Sequence, residues 1–291
     1  MSSKTLNAFL IGLIVLVSVV SWIAYRHPSH GMLSVEGSAL LETLSLSDIS
    51  DITIEGPEGN VSLTKKSDRW VVTDRYDYPA DFKKISDFVQ SLQAARIGRQ
   101  FPIRNDIRDR LKLNPPEADL ESEVKGTRVV FKNRDGDVLT QILFGRGRRL
   151  DGTGAPDSHY VMLVSDPSVY LVDTPFTTLA KDPSDWLDTP IIEAPAKLVR
   201  KIECFAPGVQ TPTYVFEREY PEENLVPVIS PTSLPLDDSV IKKIEWSITY
   251  LPLEDVAPPD VDPTDTGLAG SLRLDYYLFD GMIYRVYPCM P

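Results

Sequence analysis

ISDITIEGPEGNVSLTKKSDRWVVTDRYDYPADFKKISDFVQSLQAA, residues 49–95, changes its hydrophobic period part-way, and that change sets the expected architecture. Ile49 to Ile54 alternates apolar and polar side chains, Gly56-Pro57-Glu58-Gly59 is a turn, Val61 to Thr64 returns, and Trp70 to Val72 adds a third short strand. At Pro79-Ala80-Asp81 the period lengthens. Phe82, Ile85, Phe88, Val89, Leu92 and Ala95 fall on one face at helical spacing, with Asp81 placed to cap the first turn. A small meander followed by a helix that must bury its stripe predicts an α+β unit.

The same order returns downstream. Val199 to Phe205 reads as a strand, a Pro/Gly turn follows, Tyr214 to Arg218 returns, and Pro235-Leu236-Asp237 opens a helix. Setting Pro79 against Pro235 aligns Asp81 with Asp237, and Ile85, Phe88, Leu92 and Ala95 with Ile241, Ile244, Ile248 and Leu251. The expected fold is therefore α+β with duplicated units of antiparallel β-meander plus packed helix. Between them, Asn105 to Leu113 reads as a short helix stopped by Pro115-Pro116. Arg128–Lys132 and Leu139–Phe144 flank the hairpin signal Asp135-Gly136, and Tyr160–Val164 and Val169–Val172 flank Asp166-Pro167. Leu272–Leu278 turns at Asp280-Gly281 into Ile283–Tyr287.

Ala8 to Tyr25, AFLIGLIVLVSVVSWIAY, holds eighteen residues without a charge. At helical rise this run spans about 27 Å, close to the hydrocarbon thickness of a bilayer. Trp22, Tyr25 and Arg26 sit where interfacial side chains belong. A cleaved signal peptide would place Trp22 at the −3 position of the cut after Ala24, a poor match, and an all-round apolar core helix fits water badly. The expected organisation is a single-pass membrane anchor at 1–26, a linker at 27–47, a first α+β unit with a β-hairpin extension at 48–190, and a second unit at 191–291. The short N-terminal tail and acidic body favour an inner-membrane protein with its C-terminal domain in the periplasm or outside the cell.

With 291 residues, 42% hydrophobic and 25% charged, the composition is that of a globular chain. Its formal charge is −12, and Lys4 and Arg26 are the only charges in the first thirty residues. A body that acidic repels phosphate backbones, so nucleic acid is not an expected partner. Two cysteines, Cys204 and Cys289, are candidates for one disulfide, and no metal-ligand spacing accompanies them. His159 is the one histidine outside the N-terminal region, and it reads as an exposed loop residue lacking a triad. Gly145-Arg146-Gly147-Arg148-Arg149 lies between strands, which suits a hairpin tip better than a phosphate cradle; Arg146, Arg148 and Arg149 are candidates for contact with an acidic partner. Asp260, Asp262 and Asp265 lack the calcium-loop order and read as a solvated loop, while Asp182, Asp185 and Asp188 read as a capping turn that buries Trp186. No catalytic, cofactor-binding or metal-binding residues emerge.

Several of these packing and turn motifs recur together in one family: the strand pair ending W-x-V, the Pro-x-Asp helix, a short helix ending LKLNPP, VVFKNRDGDVLTQILFG, HYVMLVSDPSVYLVD, KDPSDWLD and the late FDG turn. The chain resembles the uncharacterised bacterial family numbered 4340 among domains of unknown function, over residues 48 to 288. That resemblance implies a membrane-anchored extracytoplasmic protein linked to ABC transporters of the gliding-motility type, with no established catalytic residues. The expected function is a non-catalytic accessory or scaffold role in such a complex. The alternatives are an envelope glycan- or lipid-binding module, marked by Tyr76, Tyr78, Tyr276, Tyr277, Tyr284 and Tyr287, and a carboxylate-based hydrolase.

Overall fold

The alternation in residues 51–66 is realised as two paired strands, β1 (Asp51–Glu55) and β2 (Asn60–Lys66). Ile52 lies opposite Leu63 and Ile54 opposite Val61, and all four side chains are buried. The computed structural model describes residues 36–41, 43–149, 156–166, 168–177, 179, 181–231, 237–262, 264–268 and 270–288. The apolar run 8–25, Pro235 of the second helix start and Cys289 lie outside the described residues. Among those described, no helix is long and apolar enough to cross a membrane.

The expected α+β class is corrected. The described chain is mostly antiparallel β-sheet, with three short helices of 13, 7 and 9 residues. β3 (Arg69–Val72) and β4 (Tyr78–Pro79) extend the β1–β2 pair on one side. β6 (Thr127–Lys132), β7 (Val138–Arg148), β8 (Ser158–Leu163) and β9 (Ser168–Val172) extend it on the other, and β5 (Ile97–Pro102) closes that edge. The order is β4-β3-β2-β1-β6-β7-β8-β9-β5, nine strands in one sheet. The physical reason is that β1 has a buried ladder on both edges, pairing β2 and β6 alike, so the later hairpins continue the meander's own sheet.

Both faces of the β7–β9 region are covered, and the alternation of each strand shows it. Ile142, Phe144, Val161, Tyr170 and Val172 join the main core, whereas Leu143, Met162 and Val169 join a smaller one with Leu113. On the main face lies helix α1 (Phe82–Ala94), whose N-cap Asp81 accepts the Lys84 N–H at 3.0 Å. Its Ile85, Val89 and Leu92 are fully buried, each contributing about 1.5–3 kcal/mol by leaving water. Phe82, expected in the stripe, is 57% exposed: it stands at the first helical position, where the chain has just left the core. Against the smaller core packs helix α2 (Asn105–Leu111), through Ile107 and Leu111.

A second sheet runs β13-β12-β11-β15-β16, made of β11 (Val199–Phe205), β12 (Tyr214–Glu217), β13 (Val226–Ile229), β15 (Arg273–Leu278) and β16 (Ile283–Val286). Helix α3 (Asp238–Trp246) buries Ile241, but Ile248 and Leu251 lie beyond its end. The expected four-residue helical stripe is therefore corrected: Ile248 is buried from a turn, and Leu251 packs half-buried on the same core from β14 (Leu251–Pro252), which pairs with β10 (Pro190–Ile192). On α3 the buried face also carries Glu245, 3.0 Å from the Arg218 guanidinium. Arg218 donates to the carbonyl oxygens of Val199 at 2.6 Å, Glu223 at 3.1 Å, and Ala196.

Chain from the second half returns to the first. Arg75 donates to Asp255 at 2.5 Å and reaches Asp182 at 3.3 Å, and the Leu253 N–H meets the Thr189 carbonyl at 2.6 Å. Leu253 and Val256 pack on the main core beside Trp186 and Leu187.

Candidate functional site

Glycines decide how closely the α2 segment approaches the sheet. A Cβ on Gly126 would stand 2.6 Å from the carbonyl oxygens of both Lys112 and Phe144, and one on Gly145 would collide with the Leu111 carbonyl and the Leu113 side chain. Only glycine at these two positions lets residues 111–113 run across β7. Lys112 ends α2 in a left-handed conformation, φ +57°. The buried Asn114 then ties this end down, donating to Asp109 at 2.8 Å and to the Val124 carbonyl at 3.0 Å, while Gly126 N–H donates to the Asn114 carbonyl at 2.8 Å.

This packing brings three distant segments around one concavity of about 1080 Å³. Arg110, Lys112 and Lys125 come from the α2 side, Arg146, Arg148 and Arg149 from the end of β7, and Lys181 from the segment after β9. Glu58 and Glu123 are the carboxylates on its wall, and Glu58 is engaged by Lys181 at 3.0 Å. β7 carries one extra residue against β8 here, between the Phe144–Val161 and Gly147–His159 pairs. Such a bulge bends the strand and re-aims its side chains, and Arg146 sits in it. A concentrated positive surface has formed on a chain of formal charge −12.

His159 lies at the floor, and the exposed-loop expectation is corrected. The residue is buried, the imidazole packed by Phe144 and Phe176 with ring centroids 6.1 Å away in each case. Nε2 is 3.0 Å from the Gly145 carbonyl and Nδ1 is 3.4 Å from the Phe176 N–H, a pattern met by the neutral tautomer with its proton on Nε2. Burial pushes its pKa below the ordinary 6.5, against a smaller upward pull from the Gly145 carbonyl. A neutral ring that is already donating and accepting braces the concavity's floor.

Arg146, Arg148 and Arg149 are exposed and share this wall, with Gly145 and Gly147 inside β7, not at its hairpin tip. What the sequence did not signal is the opposing wall, Arg110, Lys112 and Lys125, which meets them only through β6–β7 pairing and the glycine contacts. Cys204 is half-buried, and burial pushes its thiol up to about 11. Its expected pairing involves Cys289, outside the described residues. Asp262 is occupied by the Thr264 N–H and hydroxyl at 2.9 and 2.7 Å, and Asp182 caps the turn holding buried Trp186 through Ser184. Among the described residues no three His, Cys, Asp or Glu side chains come together as a metal set.

The six tyrosines form no surface cluster: Tyr276 and Tyr284 face each other across β15 and β16 on the second core. Tyr276 is fully buried and shares a 2.8 Å hydrogen bond with Ser247, Tyr277 donates to Glu203 at 2.7 Å, and Tyr78 and Tyr284 pack on different cores. Tyr76 and Tyr287 are exposed, from the first and second sheets' loops respectively.

No curated protein and no solved structure matches the chain. The family described as "Domain of unknown function (DUF4340)" matches residues 70–269, more than half of the sequence and including both sheets' central strands. On that match, this chain belongs to the DUF4340 family.

Proposed function

We propose that the protein is a non-enzymatic accessory or scaffold subunit of an ABC-transporter-like envelope complex. It is held in the inner membrane by residues 8–25, with its folded part outside the cytosol. The observation that carries this reading is the concavity of seven Lys and Arg side chains on an otherwise acidic chain, which is suited to contact with an acidic surface. The eighteen-residue uncharged run supports the anchor, and Arg146, Arg148 and Arg149 at the end of β7 support a partner role for the site.

The test is site-specific photo-crosslinking in intact cells, with the reactive residue replacing Lys125 on the rim, followed by purification from native membranes. The expected product is a covalent adduct with a subunit of an envelope membrane complex. Adducts with cytosolic proteins alone, or none above background, would overturn the reading.

A further inference from the structure

Elsewhere on the surface, several cations are matched. Lys66 meets Asp77 at 2.7 Å, Arg128 meets Glu117 at 2.6 Å and also Glu55, and Arg285 meets Asp275 at 2.9 Å. Around the concavity, unmatched cations are gathered on one surface. Lys181 has Glu58, but Arg110, Lys112, Lys125, Arg146, Arg148 and Arg149 have no carboxylate within ion-pair distance among the described residues. Acidic side chains outnumber basic ones 42 to 30 in this chain, so six neighbouring cations without an ion-pair partner among the described residues form a patch suited to an external anion.

The shape narrows the anion. The glycines serve close packing, and the backbone groups beside them are committed: Gly126 N–H to Asn114 and the Gly145 carbonyl to His159. The wall therefore presents side-chain cations, not the cluster of outward N–H groups that cradles a single phosphate. A volume of about 1080 Å³ is at the upper limit of small-ligand pockets. Arg146 and Arg148 are two residues apart on β7, and the bulge at Arg146 takes them off the regular strand repeat while keeping both on the concavity's wall.

We infer that the concavity binds an extended acidic segment of a partner protein, with its carboxylates meeting the arginines of β7 and the cations of the α2 side. The inference rests on the accessory-subunit reading and names the chemistry of the partner's contact.

The test uses the full-length chain and a fluorescein-labelled ten-residue peptide alternating Ser and Asp, read by anisotropy at low salt. A peptide of the same composition with its aspartates in one block, and inorganic polyphosphate, serve as competitors. Both acidic peptides are expected to bind the parent chain. Arg146→Glu/Arg148→Glu is expected to weaken that binding at least about tenfold. Arg110→Glu/Lys125→Glu should do the same from the facing wall, while Arg134→Glu, outside the concavity, leaves it unchanged. An unchanged thermal melt separates lost binding from lost folding. Equal binding by the charge-reversed and parent chains would overturn the inference. So would polyphosphate binding through these arginines without peptide binding. If the Lys125 crosslink to a membrane complex persists in Arg146→Glu/Arg148→Glu, the accessory reading stands and the acidic-segment inference falls.

Discussion

Replacing Arg218 by leucine tests whether the second core depends more on its buried cation than on the anion it meets. The guanidinium holds the Val199, Glu223 and Ala196 carbonyls together with Glu245, and the side chains of Arg218 and Glu245 are 3% and 11% exposed. Without it, one buried carboxylate loses its cation and three carbonyls lose a charged donor. Breaking a buried pair in this way costs about 3–5 kcal/mol, and each orphaned buried acceptor about 1–3 kcal/mol before relaxation and water entry. We therefore expect Arg218→Leu to destabilise by about 4–6 kcal/mol. Glu245→Leu leaves the guanidinium its three carbonyl acceptors and adds apolar volume to α3's buried face, so it should cost only about 1–3 kcal/mol. The double substitution should cost less than the two singles summed, by at least about 1 kcal/mol. Urea denaturation of the full chain, followed by far-ultraviolet circular dichroism, reads all three. Equal losses for the two singles, or a larger loss for Glu245→Leu, would refute the assignment of Arg218 as the hub.

Further outcomes follow from the same contacts. His159 is neutral in the fold with a lowered pKa, so its contribution is complete above 6.5 and is lost as pH falls from there toward the folded value. Thermal melts between pH 7.5 and 5.5 should fall more steeply for the parent than for His159→Gln, which keeps a donor and an acceptor but does not titrate; parallel slopes would exclude this source. Gly126→Ala should cost about 1–3 kcal/mol by forcing apart the Lys112 and Phe144 backbones, and the loss should be accompanied by weaker peptide binding. Trp186→Ala should cost about 3–5 kcal/mol in chemical denaturation, since the ring is 1% exposed and packs edge-on to Phe88 at 6.1 Å. A loss under about 1 kcal/mol would mean that the site refills.

Local chemistry was the legible part of this fold. Asp135-Gly136 does turn β6 into β7, with Gly136 at φ +86°, and Asp81 does cap α1 over a stripe whose Ile85, Val89 and Leu92 are buried. These features depend on residues adjacent in the chain or one helical turn apart. The nine-strand sheet was not legible because β1's pairing with β6 joins residues about eighty positions apart, and no local pattern encodes that choice. The α3 stripe misled for a related reason: apolar residues continued at helical spacing past Trp246, but Leu251 pairs across β14 with Ile192. In the candidate site, one wall was visible as an arginine run in the sequence. Its facing wall was not, because Arg110 and Lys125 become neighbours only when Asn114 and Gly126 lock the intervening loop. His159 misled because its burial is supplied by Phe144 and Phe176 from other segments.

The packing of Leu253 and Val256 on the main core bears on how the chain is made. Ribosomal synthesis delivers residues from the N-terminus, and every strand of the first sheet has been delivered once Val172 has been added. Trp186 and Leu187 follow soon after, yet Leu253 and Val256 are translated roughly eighty residues later than the final strand. Until then the nascent sheet carries apolar surface that its own later sequence covers, and the Arg75 guanidinium waits for Asp255. Completion of the first folded region is thus timed by translation of the second.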